Sequence, residues 1–405
     1  MRILLLFGVG LSLFVSCSST TPITSTDDLT ARFQKIYQRS LFPGFSLTIV
    51  KRDTIAYQQS FGLANVAGQT AYTNQTTQPI GSVSKLMIGL ALMKAVEKGL
   101  LTLDTDINTV LPFRVVNPNV PSAPILVKHL VTHTSGILDR PSAYLSLFSI
   151  LPGESLTTDE ARRMQTELKA TTDGKIQLLG QLLGSYLLPG GALYSADNFG
   201  KTAPGITYSY SNLASSLAAY IVELVTKQPF AEFTKAEIFD PLGMKNTAWF
   251  GKDLPPSQRA TLYWTKEKPL PRYIHASYPD GMLHTTNEDL GRFLLAMMRA
   301  YAGQPGLLTK AGFQQLFARQ FATTPVGLNV KEDNYGVFWV WFKNGRVGHT
   351  GGDLGLATLF AFYPDKLTGF CFMTNVDMED GDNSYKLSES LQEITTAIKE
   401  FEALN

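Results

Sequence analysis

"IGSVSKLMIGLALMKAVEKG", residues 80–99, decides how the rest of the chain is read. After Lys85 the stretch is one long apolar run, with Lys94, Glu97 and Lys98 charged only near its far end. That pattern predicts a buried helix beginning near Ser82. A helix turns once every 3.6 residues, so Ser82 and Lys85 stack a turn apart on one face. A lysine at the mouth of so apolar a helix is costly unless it has a partner or a task.

Ser82-Val83-Ser84-Lys85 is the only S-x-x-K in the chain. A serine at a helix start can be a simple N-cap. It can also be a nucleophile whose developing negative charge meets free backbone N–H groups and the helix dipole. A nucleophilic serine needs a base. Lysine is protonated in water at neutral pH, with a reference pKa of about 10.4, but burial lowers that by roughly 3–5 units. A lysine that stays charged still polarises neighbouring hydroxyls.

Two further stretches carry residues of the same chemistry. "PGITYSYSN" (204–212) holds Tyr210-Ser211-Asn212 just ahead of a helical pattern. A phenol beside an ammonium can be held partly deprotonated and shuttle a proton, and Asn212 can orient both the lysine and a substrate amide. The plainer alternative is a turn tyrosine followed by an N-cap. "GHTGGDLG" (348–355) lies between two strand patterns. Its glycines let a ligand approach the backbone. The N–H groups of Gly352 and Ser82 are an expected oxyanion hole, with a glycine-rich hairpin as the alternative.

The surrounding pattern places these pieces. Residues 45–65 read as a β-hairpin around "KRD". From about 100 to 330 the pattern is mostly helical, with "SNLASSLAAYIVELVTKQ" and "NEDLGRFLLAMMRAYAG" the clearest helices, each opening on an N-cap residue. Strands return at 335–342, 355–364 and 368–375, and "SYKLSESLQEITTAIKEF" forms a last amphipathic helix. The aromatic run "VFWVWF" (337–342) alternates and is expected to be core and cleft wall. Strands at both ends with helices between them predict an α/β (α+β) fold, one antiparallel sheet built from the two termini and flanked by helices, with a helical region inserted in the middle.

The chain has 405 residues and a formal net charge of +1, with no basic run. That argues against a nucleic-acid partner, because phosphate neutralisation needs a basic face. His129 and His133 are four apart, but no Glu follows His129, so H-E-x-x-H is absent and no metal is expected. No G-x-S-x-G elbow, Walker A or G-x-G-x-x-G occurs. "MRILLLFGVGLSLFVSC" joins a positive start to an apolar stretch too short for a comfortable membrane span. It resembles a bacterial lipoprotein signal: residues 1–16 removed, Cys17 lipidated, 17–26 a polar tether and 27–405 a single catalytic domain. An ordinary signal peptide cleaved nearby is the alternative. Either way the mature protein is expected to leave the cytoplasm; the lipoprotein reading places it in the bacterial cell envelope, lipid-anchored and facing the periplasm. Cys371, in an apolar strand pattern, then has no intrachain partner and is read as an inert core thiol.

The order S-x-x-K, Y-S-N, H-T-G resembles the serine β-lactamase-like and penicillin-recognising hydrolases, most of all the class C β-lactamase and esterase branch. "LVKHLVTHTSGI", "PLGMKNTAW" and "PDGMLHTTNEDLGRFL" extend the likeness over most of residues 30–380. The resemblance implies that Ser82 is the acyl-accepting nucleophile and that Lys85 and Tyr210 share the acid/base work. Asn212, His349, Thr350, Gly351 and Gly352 would contact substrate. His349 stands where many β-lactamases carry the lysine of K-T-G. The resemblance implies no cofactor or metal, and a small-molecule or peptide substrate: an ester, an amide or a D-amino-acid peptide. A non-catalytic penicillin-binding-like lipoprotein and a true class C-type β-lactamase are the alternatives. The stretch 138–203 is long and apolar for this family and borders the expected cleft. The oligomeric state is not fixed by the sequence.

Overall fold

The computed structural model describes residues 22–175, 178–379 and 383–404. Cys17 and the leader lie outside the described residues. Eight antiparallel strands form the central sheet. The N-terminal part contributes β1 (Gly44–Lys51), β2 (Thr54–Asn65) and β3 (Thr70–Ala71). The C-terminal part contributes β4 (Glu332–Tyr335), β5 (Val340–Phe342), β6 (Val347–Asp353), β7 (Leu356–Tyr363) and β8 (Thr368–Thr374). In space they run β4-β5-β6-β7-β8-β1-β2-β3, so the two termini meet where β1 pairs with β8. The sheet expected from both chain ends is therefore present, as is the β1–β2 hairpin, whose turn uses Arg52 at φ 55°.

Helices cover both faces, so β1 is buried almost throughout instead of alternating with solvent. On one side α1 (Thr26–Arg39) and the C-terminal helix (Ser384–Glu402) pack Leu29, Phe33, Ile394 and Ile398 onto Phe45, Leu47 and Phe372. Full burial of such side chains contributes roughly 1.5–3 kcal/mol each. On the other side the helix Asn287–Tyr301 lies against β1 and β8. Gly291 permits the approach, since a Cβ there would meet the Thr48 and Gln58 side chains at about 3 Å. Asn287 Oδ1 accepts from Thr48 Oγ1 at 2.9 Å and fixes the helix start to the sheet. Thr286, one residue earlier than the sequence suggests, supplies the cap. Cys371 is buried in β8, and burial pushes its thiol up to about 12, as an inert core thiol requires.

The apolar stretch 80–99 folds as α2 (Lys85–Glu97), buried along almost its whole length. It begins three residues later than the sequence suggests, because residues Gly81–Ser84 form a 3₁₀ turn. The expected single strand over 335–342 is also interrupted. Phe338 has φ 61°, Gly336 N–H bonds to Trp339 O, and the N–H groups of Val337 and Phe338 leave the sheet for Leu316 O and Val131 O. This bulge packs on α2, where a Cβ on Gly89 would collide with Val337 O. Val337, Phe338 and Trp339 are wholly buried core rather than an alternating wall. The long stretch 138–203 is tied to the rest of the chain by its strand Phe148–Ile150, which pairs with Tyr273–His275.

Candidate active site

Ser82 sits in the 3₁₀ turn and is partly exposed, while Lys85 behind it is fully buried. Lys85 Nζ donates to Ser82 Oγ at 3.0 Å, to Asn212 Oδ1 at 2.7 Å and to the Asp280 carbonyl at 2.7 Å. It also lies 5.0 Å from the centre of the Tyr210 ring. Burial brings the ammonium down to about 8, against the opposing pull of Asp280, Asp139 and Asp353. Asn212 Oδ1 and the Asp280 carbonyl only accept, so they occupy two N–H bonds. When Nζ is neutral, its lone pair is the group left facing the Ser82 hydroxyl. That is the arrangement of a base aimed at a nucleophile.

Tyr210 comes from the loop before the helix Asn212–Thr226, and Asn212 is the first residue of that helix, whose N-cap is Ser211. The carboxylate of Asp139, which no sequence motif singles out, anchors this loop. Its Oδ1 accepts from Ser211 Oγ (2.8 Å) and Leu213 N–H (3.1 Å), and its Oδ2 from Asn212 N–H (2.6 Å). Carboxylate and helix N-terminus suit each other electrostatically. Burial nevertheless raises Asp139 to about 6, with those three bonds opposing. His133, at φ 55°, braces Tyr210 from below, with ring centres 4.3 Å apart. Its Nδ1 accepts the Ser211 N–H at 3.2 Å, so Nε2 carries the proton. His129 instead takes the Leu126 N–H on its Nδ1, so the pair at four-residue spacing serves two separate backbone groups.

The Tyr210 hydroxyl is buried, with the Ser82 hydroxyl as its polar neighbour. Burial holds it well above the ordinary tyrosine value, and the Ser82 hydroxyl offsets only part of this. At rest it is a neutral phenol, not the partly ionised one that a neighbouring ammonium suggests.

The glycine strand β6 supplies the opposite wall. Beyond Gly348 it has no partner on β5, and this stretch lies against Gly81 and Ser82. The approach needs glycine on both sides. Gly81 has φ +54°, and a Cβ on it would lie 2.9 Å from Gly352 N. A Cβ on Gly351 would collide with Ile80 O and lie 3.1 Å from Ser82 N. Thr350 and Gly352 are exposed, while His349 and Gly351 point inward. His349 Nδ1 lies 2.5 Å from the Thr350 carbonyl, which can only accept, so Nδ1 holds the proton. Nε2 is then an acceptor, buried and unpartnered. Burial and the Lys85 charge push His349 down to about 3, so it is neutral at physiological pH. His349 thus offers a lone pair rather than a donor, and Asp353 pairs with His275, not His349.

Ser82, Lys85, Tyr210, Asn212 and the His349–Gly352 segment thus share one site. Ser84, on the far side of the turn, is fully buried and accepts the Leu283 N–H. A separate cavity of about 680 Å³ lies between the insertion and residues 249–274, lined by Pro152, Phe250, Arg259 and Leu270 among others. It contains none of the site residues.

The family model described as Beta-lactamase matches residues 29–389. Penicillin-binding protein 4* of Bacillus subtilis is 26% identical over 365 residues, covering 85% of this chain and 70% of that protein. Protein flp of Staphylococcus aureus (strain N315) is 26% identical over 228 residues, but the match spans only 39% of its length. Among solved structures, the octameric penicillin-binding protein homologue from Pyrococcus abyssi aligns with TM-score 0.69 and 21% identity, covering 91% of this chain and 77% of that one. The D-amino acid amidase from Ochrobactrum anthropi SV3, complexed with L-phenylalanine amide, aligns with TM-score 0.67 and 19% identity over 93% and 100%. The chain belongs to the β-lactamase family, and its fold is that of the β-lactamase/transpeptidase-like proteins.

Proposed function

We propose that this protein is a serine hydrolase that works through an acyl-enzyme on Ser82. The observation that carries the reading is the three-way bonding of Lys85 Nζ to Ser82 Oγ, Asn212 Oδ1 and Asp280 O. Neutral Lys85 takes the Ser82 proton as Oγ attacks the substrate carbonyl. The oxyanion forms between the Ser82 turn and the Gly351–Gly352 edge, where backbone N–H groups stabilise it. Tyr210, a neutral phenol at rest, gives its proton to the leaving group and regains one through Lys85. Water then releases the acyl group by the reverse sequence.

The substrate we infer is an amide or ester that presents no free carboxylate beside the reactive carbonyl. His349 is neutral and offers an acceptor where an anionic group would need a donor. The likeness to an amidase crystallised with an amino-acid amide points the same way. The chain is further proposed to be exported and lipid-anchored through Cys17, from the leader pattern alone. The test of the substrate class is a turnover panel: an amino-acid p-nitroanilide or amide in both D and L forms, a short aryl ester and a chromogenic cephalosporin. The reading expects the neutral amide or ester to have the higher kcat/KM. A cephalosporin preferred over all of them would overturn it.

A further inference from the structure

A second polar cluster lies directly beneath the reactive pair. His275 ends the strand Tyr273–His275 and is 1% exposed. Its Nδ1 is 3.6 Å from Asp280 Oδ1 and 3.2 Å from Ser277 Oγ, and its Nε2 is 3.4 Å from Asp353 Oδ2. Both carboxylates are largely withdrawn from solvent, with side-chain exposures of 1% and 11%. Tyr144 Oη and Ser216 Oγ each add a long bond of 3.4 Å to Asp280. Two buried carboxylates facing one imidazole favour its doubly protonated form. His275 is accordingly pulled up despite its burial, whereas His133 and His349 are pushed down.

The two acids lead to the two halves of the site. The Asp280 carbonyl receives Lys85 Nζ. Asp353 closes β6, two residues beyond Gly351, which abuts the Ser82 turn. The charged and titratable groups around His275 are Asp280, Asp353 and Lys85, with the Tyr144 and Phe148 rings packed on its faces. Asp139 and Tyr273 stand around the same acids.

We propose that His275 is a positioning residue of the Ser82 site: its imidazolium, held between Asp280 and Asp353, sets the Asp280 carbonyl against Lys85 and the glycine strand against Ser82, and its charge offsets the two acids that would otherwise keep Lys85 protonated. The proposal rests on the reading of Lys85 as the base for Ser82. It makes the neutral form of Lys85 depend on a side chain that touches neither substrate nor nucleophile.

The test follows Lys85 itself by NMR of ¹³Cε-lysine-labelled protein, with the resonance assigned by Lys85→Arg, alongside the pH profile of fluorophosphonate labelling. In His275→Gln the Lys85 titration and the rising limb of labelling both move up by about one pH unit. In His275→Gln/Asp353→Asn, which removes one acid with the cation, both return toward the wild-type positions. A merely structural role lowers the labelling amplitude and leaves both midpoints in place, and that result overturns the proposal. The ¹⁵N shifts of the His275 ring in the wild type give a reading that needs no variant to fold. They should report a ring that takes its second proton above the ordinary histidine value, and one that does so at or below that value also overturns it. If no probe labels the wild type, the hydrolase reading fails by itself, while the NMR titration still decides the coupling of His275 to Lys85.

Discussion

Lys85 Nζ is 3.0 Å from Ser82 Oγ while two carbonyl-type oxygens hold its other donor positions. The pH behaviour follows. With Lys85 near 8, about a tenth of it is neutral at pH 7. Acylation of Ser82 is expected to rise about tenfold per pH unit below that point and to level off above it. A flat profile between pH 6 and 8, measured with one fluorophosphonate probe, argues against Lys85 as the base.

The same shift bears on stability. Lysine's ordinary value is 10.5, and the folded value is lower. Between the two the unfolded chain binds more protons, so this group makes the fold more stable as pH rises from about 8 to 10.5. Below about 8 the full cost of burying the charge is present. Lys85→Met removes that cost. The difference in unfolding free energy between wild type and Lys85→Met should therefore shift in favour of wild type as pH is raised from 8 to 10. A difference that stays constant over that range contradicts the burial account.

His349→Lys tests recognition. A charge-assisted hydrogen bond is roughly twice as strong as a neutral one. The lysine should shift the ratio of kcat/KM values toward a cephalosporin and away from a neutral aryl ester. An unchanged ratio in a folded variant would mean that the residue does not meet the substrate's anionic side.

Asp139→Asn leaves an amide N–H₂ facing either the Asn212 N–H or the Ser211 and Leu213 donors. An unpaired buried donor costs about 1–3 kcal/mol. The variant should lose stability of that order in urea denaturation. It should also acylate more slowly, because Tyr210 and Asn212 lose their anchor. Wild-type rates together with wild-type stability would remove Asp139 from the site's architecture.

Ser84→Ala separates the two serines of the turn. It should keep acylation while losing about 1–3 kcal/mol, because the Leu283 N–H loses its buried partner. Loss of labelling in a folded Ser84→Ala would blur the distinction on which Ser82 rests.

What was legible in the sequence was local or strictly ordered. Ser82 and Lys85 announce each other by helical spacing, and the two strand-rich ends predict the sheet. The rest depends on tertiary contacts. Asp139, Asp280 and His275 are single polar residues in a loop, a 3₁₀ turn and a short strand, with nothing periodic around them, and only the packed fold brings them to Lys85 and Asn212. The break at Phe338 has the same origin. "VFWVWF" has a strand's composition, but the nearby carbonyls of Leu316 and Val131 take its N–H groups. The 3₁₀ turn at Ser82 reflects the close approach of β6, which a one-dimensional pattern does not contain.

Whether Ser82 carries the acyl group is read directly by intact-mass and peptide mapping after fluorophosphonate treatment. One adduct per wild-type chain is expected, on the peptide containing Ser82, and none on Ser82→Ala with an unchanged melting temperature. An adduct of equal stoichiometry on Ser82→Ala, or one mapped to another residue in the wild type, would contradict it.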